Sequence, residues 1–383
     1  MVEIDIFLKK RAEEGSLRKL NPLSSRKDGR VHVGGKEYID FSSNDYLGLA
    51  GHPKLVAAAK DALDKFGTSA CASRLLTGDT DMYHYLEDEV ARFKNKESAL
   101  VFNSGYQANV GILACLYAKD DIIFSDRSNH ASIVDGIMLS RANLSRFSHN
   151  DLNHLESLLK KERGRYKKAL IVTESVFSMD GDRPDLKGIA DLGDKYDCQI
   201  MVDEAHATGI YGANGSGVVE ETGLSDRIDL VMGTFSKALG SFGAYLAGSK
   251  KVMEYLINAC RSFIYSTSLP PSVVACNIAS LELVREEAHR RERLLSISRH
   301  FRDRLKGIGF EVRGDSQIVP VIIGENAKTV SISKVLKDKG YWVMPIRPPT
   351  VPIGQARLRF SLTYHHDIDI LEKVINDISN VGI

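Results

Sequence analysis

Ala169-Leu170-Ile171-Val172 is an unbroken apolar run, Leu186 to Tyr196 carries apolar residues at helical spacing, and Ile200-Met201-Val202 is apolar again. A short apolar run without alternation predicts a strand covered on both faces. Strand, helix and strand in that order predict a crossover unit with parallel pairing. The same rhythm extends upstream. Ser98 to Phe102 reads as a strand, Gln107 to Tyr117 as a helix, Asp121 to Phe124 as a strand and Ala131 to Leu139 as a helix. Asp151 to Lys161 is a further helix, with Asp151 placed to cap it. Downstream, Ile228 to Met232 is another strand. The expected fold is α/β, a large domain with a mainly parallel central sheet, followed by a smaller C-terminal α+β domain.

The flanks read differently. Glu3 to Lys19 is a charged helix that ends before Asn21-Pro22, and Arg30 to Phe41 is β-like, with Gly34-Gly35 as a hairpin turn. Gly209 to Gly217 is glycine-rich without dinucleotide spacing and reads as a flexible loop. After Pro270-Pro271 a long charged helix is expected to about Leu305. Then come a strand at Ile318 to Ile323, a helix at Val330 to Lys339, β-like Tyr341 to Met344, a strand at Arg357 to Leu362, and a helix from Asp367. The expected boundaries are 1–48 for an N-terminal segment, 49–272 for the large domain and 273–383 for the small one.

Composition narrows the functional classes. The 383 residues hold 51 Lys and Arg against 50 Asp and Glu, a net charge of +1. That balance gives no overall field to draw in nucleic acid or an acidic membrane. No apolar run reaches the length of a membrane span, and Met1 to Arg11 lacks a signal-peptide core. Five scattered cysteines with no C-x-x-C pair point to a reducing compartment and no zinc site. The expectation is a soluble cytoplasmic protein without metal.

In an open α/β sheet, ligands sit beyond the carboxyl ends of the strands. Three groups fall there: Asp203-Glu204-Ala205-His206, Thr234-Phe235-Ser236-Lys237 and Ser104-Gly105-Tyr106. A strand-end carboxylate can keep a pyridinium nitrogen protonated. A lysine flanked by hydroxyls can form a Schiff base while Thr234 and Ser236 hold a phosphate. A glycine turn opening a helix completes the phosphate site. Together they fit pyridoxal 5'-phosphate, whose ring is an electron sink. Singly, Asp203 is a helix cap, His206 a structural histidine and Lys237 a surface lysine. Asp-Glu-Ala-His also spells a helicase box, but no G-x-x-x-x-G-K-[ST] loop accompanies it. His365-His366 has no partner at metal spacing and reads as a solvated helix start. Arg285, Arg290, Arg291 and Arg293 alternate with glutamates and read as a solvated face.

Over nearly its whole length the chain resembles the α-oxoamine synthases, which are fold-type I pyridoxal-phosphate transferases. The strings that carry the resemblance are Phe41-Ser42-Ser43-Asn44-Asp45-Tyr46-Leu47-Gly48, Ser128-Asn129-His130-Ala131-Ser132, Val176-Phe177-Ser178-Met179-Asp180-Gly181-Asp182, Asp203 to Gly209, and Thr234 to Lys237. Within the family, Ile346-Arg347-Pro348-Pro349-Thr350-Val351-Pro352 and Ala356-Arg357-Leu358-Arg359 resemble the branch that condenses L-alanine with a pimeloyl thioester in biotin synthesis. The resemblance implies that Lys237 holds the cofactor and moves the substrate Cα proton. It implies that Asp203 pairs with the ring nitrogen, that His206 and Ser178 bond the phenolic oxygen, and that His130 stacks on the ring. Gly105, Tyr106, Thr234 and Ser236 would hold the phosphate. Ser266 and Thr267 would reach the neighbouring subunit's phosphate in a homodimer with shared sites. Arg359 and Asn44 would take the amino-acid carboxylate, and Arg18 and Thr350 the acyl substrate, carried on CoA or on an acyl carrier protein. Relatives that use glycine with acetyl or succinyl thioesters, or serine with palmitoyl thioesters, keep the same chemistry. A non-catalytic cofactor binder is the alternative of another class. Thr68-Ser69-Ala70-Cys71-Ala72-Ser73-Arg74 departs from the glycine-rich run usual there.

Overall fold

Seven strands build the sheet of the larger unit, residues 49–178 and 183–291. They are β1 Ser98–Phe102, β2 Ile122–Asp126, β3 Asn143–Phe147, β4 Ala169–Glu174, β5 Gln199–Asp203, β6 Leu230–Thr234 and β7 Ala244–Gly248. In this computed structural model, which describes residues 2–380, their order is β1-β7-β6-β5-β4-β2-β3. From β6 to β3 the pairing is parallel, and β7 is antiparallel to both its neighbours. Strands β2, β4, β6 and β7 are buried along their whole length, as continuous apolar runs covered on both faces must be.

The helix Gly105–Leu116 is nearly all apolar, and its Ala108, Ile112 and Leu113 join Leu100, Ile123, Val172, Met201 and Leu246 in one core. Burying each such large side chain stabilises by about 1.5–3 kcal/mol. This helix lies close against Ala131–Ser140 where Gly136 faces it. A Cβ at Gly136 would come within 2.8 Å of the Asn109 carbonyl oxygen and 3.1 Å of the Val110 Cα. Only glycine allows that approach. The strands' carboxyl ends lead into Ser104-Gly105, His130, Glu174, Asp203 and Thr234 along one edge of the sheet.

The second unit gathers residues 1–48, 179–182 and 292–383. The hairpin Arg30–Val33 and Lys36–Asp40 turns through Gly34 and Gly35, at φ 56° and 78°. Tyr341–Trp342 pairs in parallel with Ile39 and Asp40. Ile318–Gly324, Ala356–Ser361 and Pro345–Ile346 form a three-stranded antiparallel sheet. That shared pairing is why residues 1–48 group with the C-terminal part, where the sequence predicts a separate segment.

Other expectations change in detail. The second boundary falls between Arg291 and Glu292, not at 272/273. The helix after Pro270 is two helices, Pro271–Glu286 and His289–Gly307. The first of them stays with the larger unit, where Lys54 pairs with its Glu282 and Glu286. The N-terminal helix stops at Glu13, and Gly15 follows at φ 61°. The Gly209–Gly217 stretch is not loose but largely buried and pinned: Gly209 N donates to Gly215 O at 2.7 Å and Gly217 N to Tyr211 O at 2.9 Å. His366 is no solvated helix start. It is buried and stacked on Phe41 at 4.3 Å, and burial pushes its imidazole down to about 3. Arg291 likewise leaves the solvated face to donate to the carbonyls of Val284 and Ala213. No group of three or more metal-ligating side chains occurs among the described residues, and none of their helices is long and apolar enough to cross a membrane.

Candidate active site

A cavity of about 200 Å³ opens at the carboxyl ends of β2, β4, β5 and β6. Lys237, Asp203, His206 and His130 line it, as do Gly105, Tyr106, Thr234 and Ser236. Eight of the residues expected to act together are therefore in one place. Ser178, Ser266 and Thr267 are not among its lining residues. Ser266 instead donates to Ser262 O at 2.7 Å and accepts from Gln107 Nε2 at 2.8 Å. Thr267 O accepts from Asn103 Nδ2 at 2.6 Å.

Each side chain has a local reason for its position. Lys237 Nζ lies 2.8 Å from His206 Nε2, a geometry in which the imidazole can accept a proton from the amine. Asp203 ends β5. Its Oδ1 accepts from Ala205 N at 2.9 Å and its Oδ2 from Asn109 Nδ2 at 2.9 Å. The same Asn109 Nδ2 donates to Ser132 Oγ at 3.0 Å, and Ser132 Oγ lies 2.8 Å from His130 Nδ1. His130 caps the helix Ala131–Ser140 and takes the Ser132 N–H on Nδ1 at 3.2 Å. With Nδ1 accepting, the proton of the neutral ring sits on Nε2. Burial, followed by the charge of Lys237, holds the His130 imidazole below its ordinary value, against the pull of Asp203.

A phosphate-sized anion finds donors at the start of Gly105–Leu116. Ser104 caps that helix through Gln107 N, and the first amides, of Gly105 and Tyr106, have no carbonyl of their own helix to meet. A Cβ at Gly105 would stand 3.3 Å from Met232 Cε, which also lines the cavity. Thr234 Oγ1 and Ser236 Oγ both donate to Gly243 O, at 2.7 and 3.2 Å.

Two lining residues escaped the sequence. Glu174 ends β4 beside Asp203 in the β4–β5 register and accepts from His130 N at 2.6 Å. Burial first, then the Asp203 charge, pushes its carboxyl up to about 8. The signal that found Asp203, a carboxylate closing a buried strand, also marks Glu174. Asn109 sits within an apolar helix and carries no comparable signal. Behind the wall lies Lys94, whose Nζ is 2.7 Å from Glu204 Oε2 with both side chains fully buried. Glu204 Oε1 accepts from Val219 N at 2.9 Å. This pair anchors the residue next to Asp203.

In the second unit, Arg359 is buried and donates to Ser361 Oγ at 2.5 Å, and to Asn44 Oδ1 and Tyr46 Oη at 3.4 Å each. Arg18 donates to Thr350 Oγ1 at 3.1 Å. Both expected substrate pairs are thus adjacent.

Known proteins of the same family and fold resemble the chain along nearly its whole length. The family model of aminotransferase class I and II matches residues 36–378. An 8-amino-7-oxononanoate synthase of Geotalea daltonii is 46% identical over 371 residues, 96% of this chain and 94% of its own length. That of Geobacter sulfurreducens is 47% identical over 373 residues, 97% and 95% of the two chains. Among solved structures, a variant serine palmitoyltransferase from S. paucimobilis with a bound PLP–myriocin aldimine superposes at a TM-score of 0.93 with 33% identity, covering 99% of this chain and 96% of that one. An 8-amino-7-oxononanoate synthase from Francisella tularensis gives 0.77 with 31% identity, covering 90% and 97%. The chain belongs to the aminotransferase class I and II family and, within it, to the α-oxoamine synthases, on the branch of the 8-amino-7-oxononanoate synthases.

Proposed function

We propose that this chain is a pyridoxal-phosphate-dependent acyltransferase that condenses L-alanine with a pimeloyl thioester. The products are 8-amino-7-oxononanoate, carbon dioxide and a free thiol, a step of biotin synthesis. The observation that carries the reading is Lys237 Nζ set 2.8 Å from His206 in a cavity closed by Asp203. The relatives at 46% and 47% identity supply the substrates.

The residues fit the vitamin. Asp203 is a buried carboxylate for the ring nitrogen, and the amides of Gly105 and Tyr106 are donors for the phosphate. Bound there, the protonated ring would supply an electron sink for a carbanion at the amino acid's Cα. Lys237 carries the Cα proton away and returns it, with His206 accepting the surplus proton of its ammonium form. His130, with its proton on Nε2, gives the cavity a donor on the ring's face. Arg359 takes the amino-acid carboxylate as a planar fork, and Asn44 orients it. Arg18 and Thr350 hold the far carboxylate of the acyl chain. Thr234 and Ser236 would hold the phosphate through their hydroxyls. Ser178 would bond the ring's phenolic oxygen, and Ser266 and Thr267 would serve the second site of a cytoplasmic homodimer.

The greater structural similarity to the serine palmitoyltransferase favours a second reading, serine with a long acyl thioester. Thiol release from alanine with pimeloyl-CoA, glycine with acetyl-CoA and serine with palmitoyl-CoA separates them. The proposal expects the first pair to be fastest. Faster release with either other pair overturns it.

A further inference from the structure

Two carboxyl groups stand side by side in the floor of the cavity. The register of β4 and β5 sets Glu174 opposite Asp203, and both are buried, at 3% and 5% exposure. Two carboxylates so placed cannot both hold their charge without a cation between them. Asp203 receives two donors, one on each oxygen. Glu174 receives one, the His130 amide on Oε1. No ion pair to Glu174 occurs among the described residues, and the nearby ammonium, Lys237, is engaged by His206. The donor count therefore divides the charge unevenly between the two acids.

We propose that Glu174 is a positioning residue that stands as the neutral acid beside the charged Asp203, holding the His130 end of its helix by the amide bond to Oε1 and carrying its proton on Oε2. The neutral form does two things. It accepts from His130 N and so fixes where the ring-facing imidazole begins. It also spares Asp203 a second negative charge as neighbour, leaving Asp203 as the carboxylate available to a pyridinium. The groups that face Glu174 are Asp203 from β5, Asp126 from β2, Lys237 beyond β6 and the His130 amide at the helix start; His206 shares the cavity. Loss of the proton as pH rises through about 8 puts two negative charges side by side in the cavity floor. The inference rests on the pyridoxal-phosphate reading only for the pairing of Asp203 with a pyridinium.

The test uses the full chain, with and without added pyridoxal phosphate. Infrared difference spectra should show the carbonyl stretch of a protonated carboxyl at neutral pH. That band should fade as pH passes about 8 and be missing from Glu174→Gln. Glutamine copies the neutral acid, so Glu174→Gln should keep vitamin affinity within roughly threefold of wild type. Glu174→Ala orphans a buried N–H and should lose roughly tenfold or more. A missing acid band at neutral pH, or a Glu174→Gln as damaged as Glu174→Ala, overturns the proposal. The infrared and glutamine measurements decide the matter even if the alanine variant does not fold. Failure of the wild-type chain to bind the vitamin would sink the cofactor reading and leave the infrared result standing.

Discussion

Replacing Lys94 by methionine removes a cation from the interior and leaves its partner behind. The Lys94 ammonium and Glu204 carboxylate are 2.7 Å apart, at 1% and 0% side-chain exposure. At an effective dielectric constant of about 20, that separation gives an attraction of roughly 6 kcal/mol. Desolvation offsets most of it, so the intact pair adds little net stability. The single variant is different, because Glu204 then stays buried without its countercharge. Lys94→Met should cost about 3–5 kcal/mol. Pairing it with Glu204→Gln should recover about 2–3 kcal/mol, the coupling expected of direct partners. Burial alone would push the Lys94 ammonium down, but Glu204 and then Tyr245 outweigh it, so its folded value lies above the ordinary 10.5. The stability from this pair is fully present below 10.5 and is lost only as pH rises through the higher folded value. The wild-type ammonium therefore stays charged from mildly acidic to mildly alkaline pH, and the four proteins are compared at one pH in that range. Urea unfolding followed by far-ultraviolet circular dichroism, on wild type, both singles and the double, gives the four free energies. A single variant within about 1 kcal/mol of wild type, or a double no better than Lys94→Met, would refute the reasoning.

Three further outcomes follow from the site and its surroundings. Lys237→Ala should fold and show negligible thiol release, and borohydride should fix no vitamin to it, read by intact mass; near-normal turnover would remove the mechanism. Arg359→Lys replaces a planar fork by a point charge and should raise KM for alanine by roughly tenfold or more with a smaller change in kcat; steady-state kinetics at saturating acyl donor check this, and an unchanged KM would place the carboxylate elsewhere. Burial holds the His366 imidazole at about 3 against an ordinary 6.5. Its contribution is whole above 6.5 and falls as pH drops toward 3, by up to about 1.4 kcal/mol per pH unit. His366→Phe should flatten that acid slope in urea titrations across this range, and an equally steep slope would count against the assignment.

The sheet was legible because its strands are buried on both faces, so Ala169 to Val172 and Ile200 to Val202 announce themselves without any partner in view. The site was legible where chemistry-bearing residues follow such runs, at Asp203, His206 and Lys237. Glu174 closes its apolar run as Asp203 closes the next, but no histidine or lysine follows it to mark the place as a site. Asn109 was hidden for a different reason. A polar residue inside an apolar helix has meaning only through what faces it, and Asp203 and Ser132 are 94 and 23 positions away. The break between the helices ending at Glu286 and beginning at His289 has no glycine or proline to signal it. His366 was misjudged because its neighbours Tyr364, His365 and Asp367 look solvated, while its own ring is taken up by Phe41 from the far end of the chain.

At Gly136 the helix that offers Gly105 and Tyr106 and the helix that begins at His130 approach backbone to backbone, and the Asn109–Ser132 and Tyr106–Asp135 side-chain bonds tie them beside that contact. So close an approach resists sliding of one helix along the other. Under the proposed reading, the vitamin would meet two helix starts that the fold ties to one another.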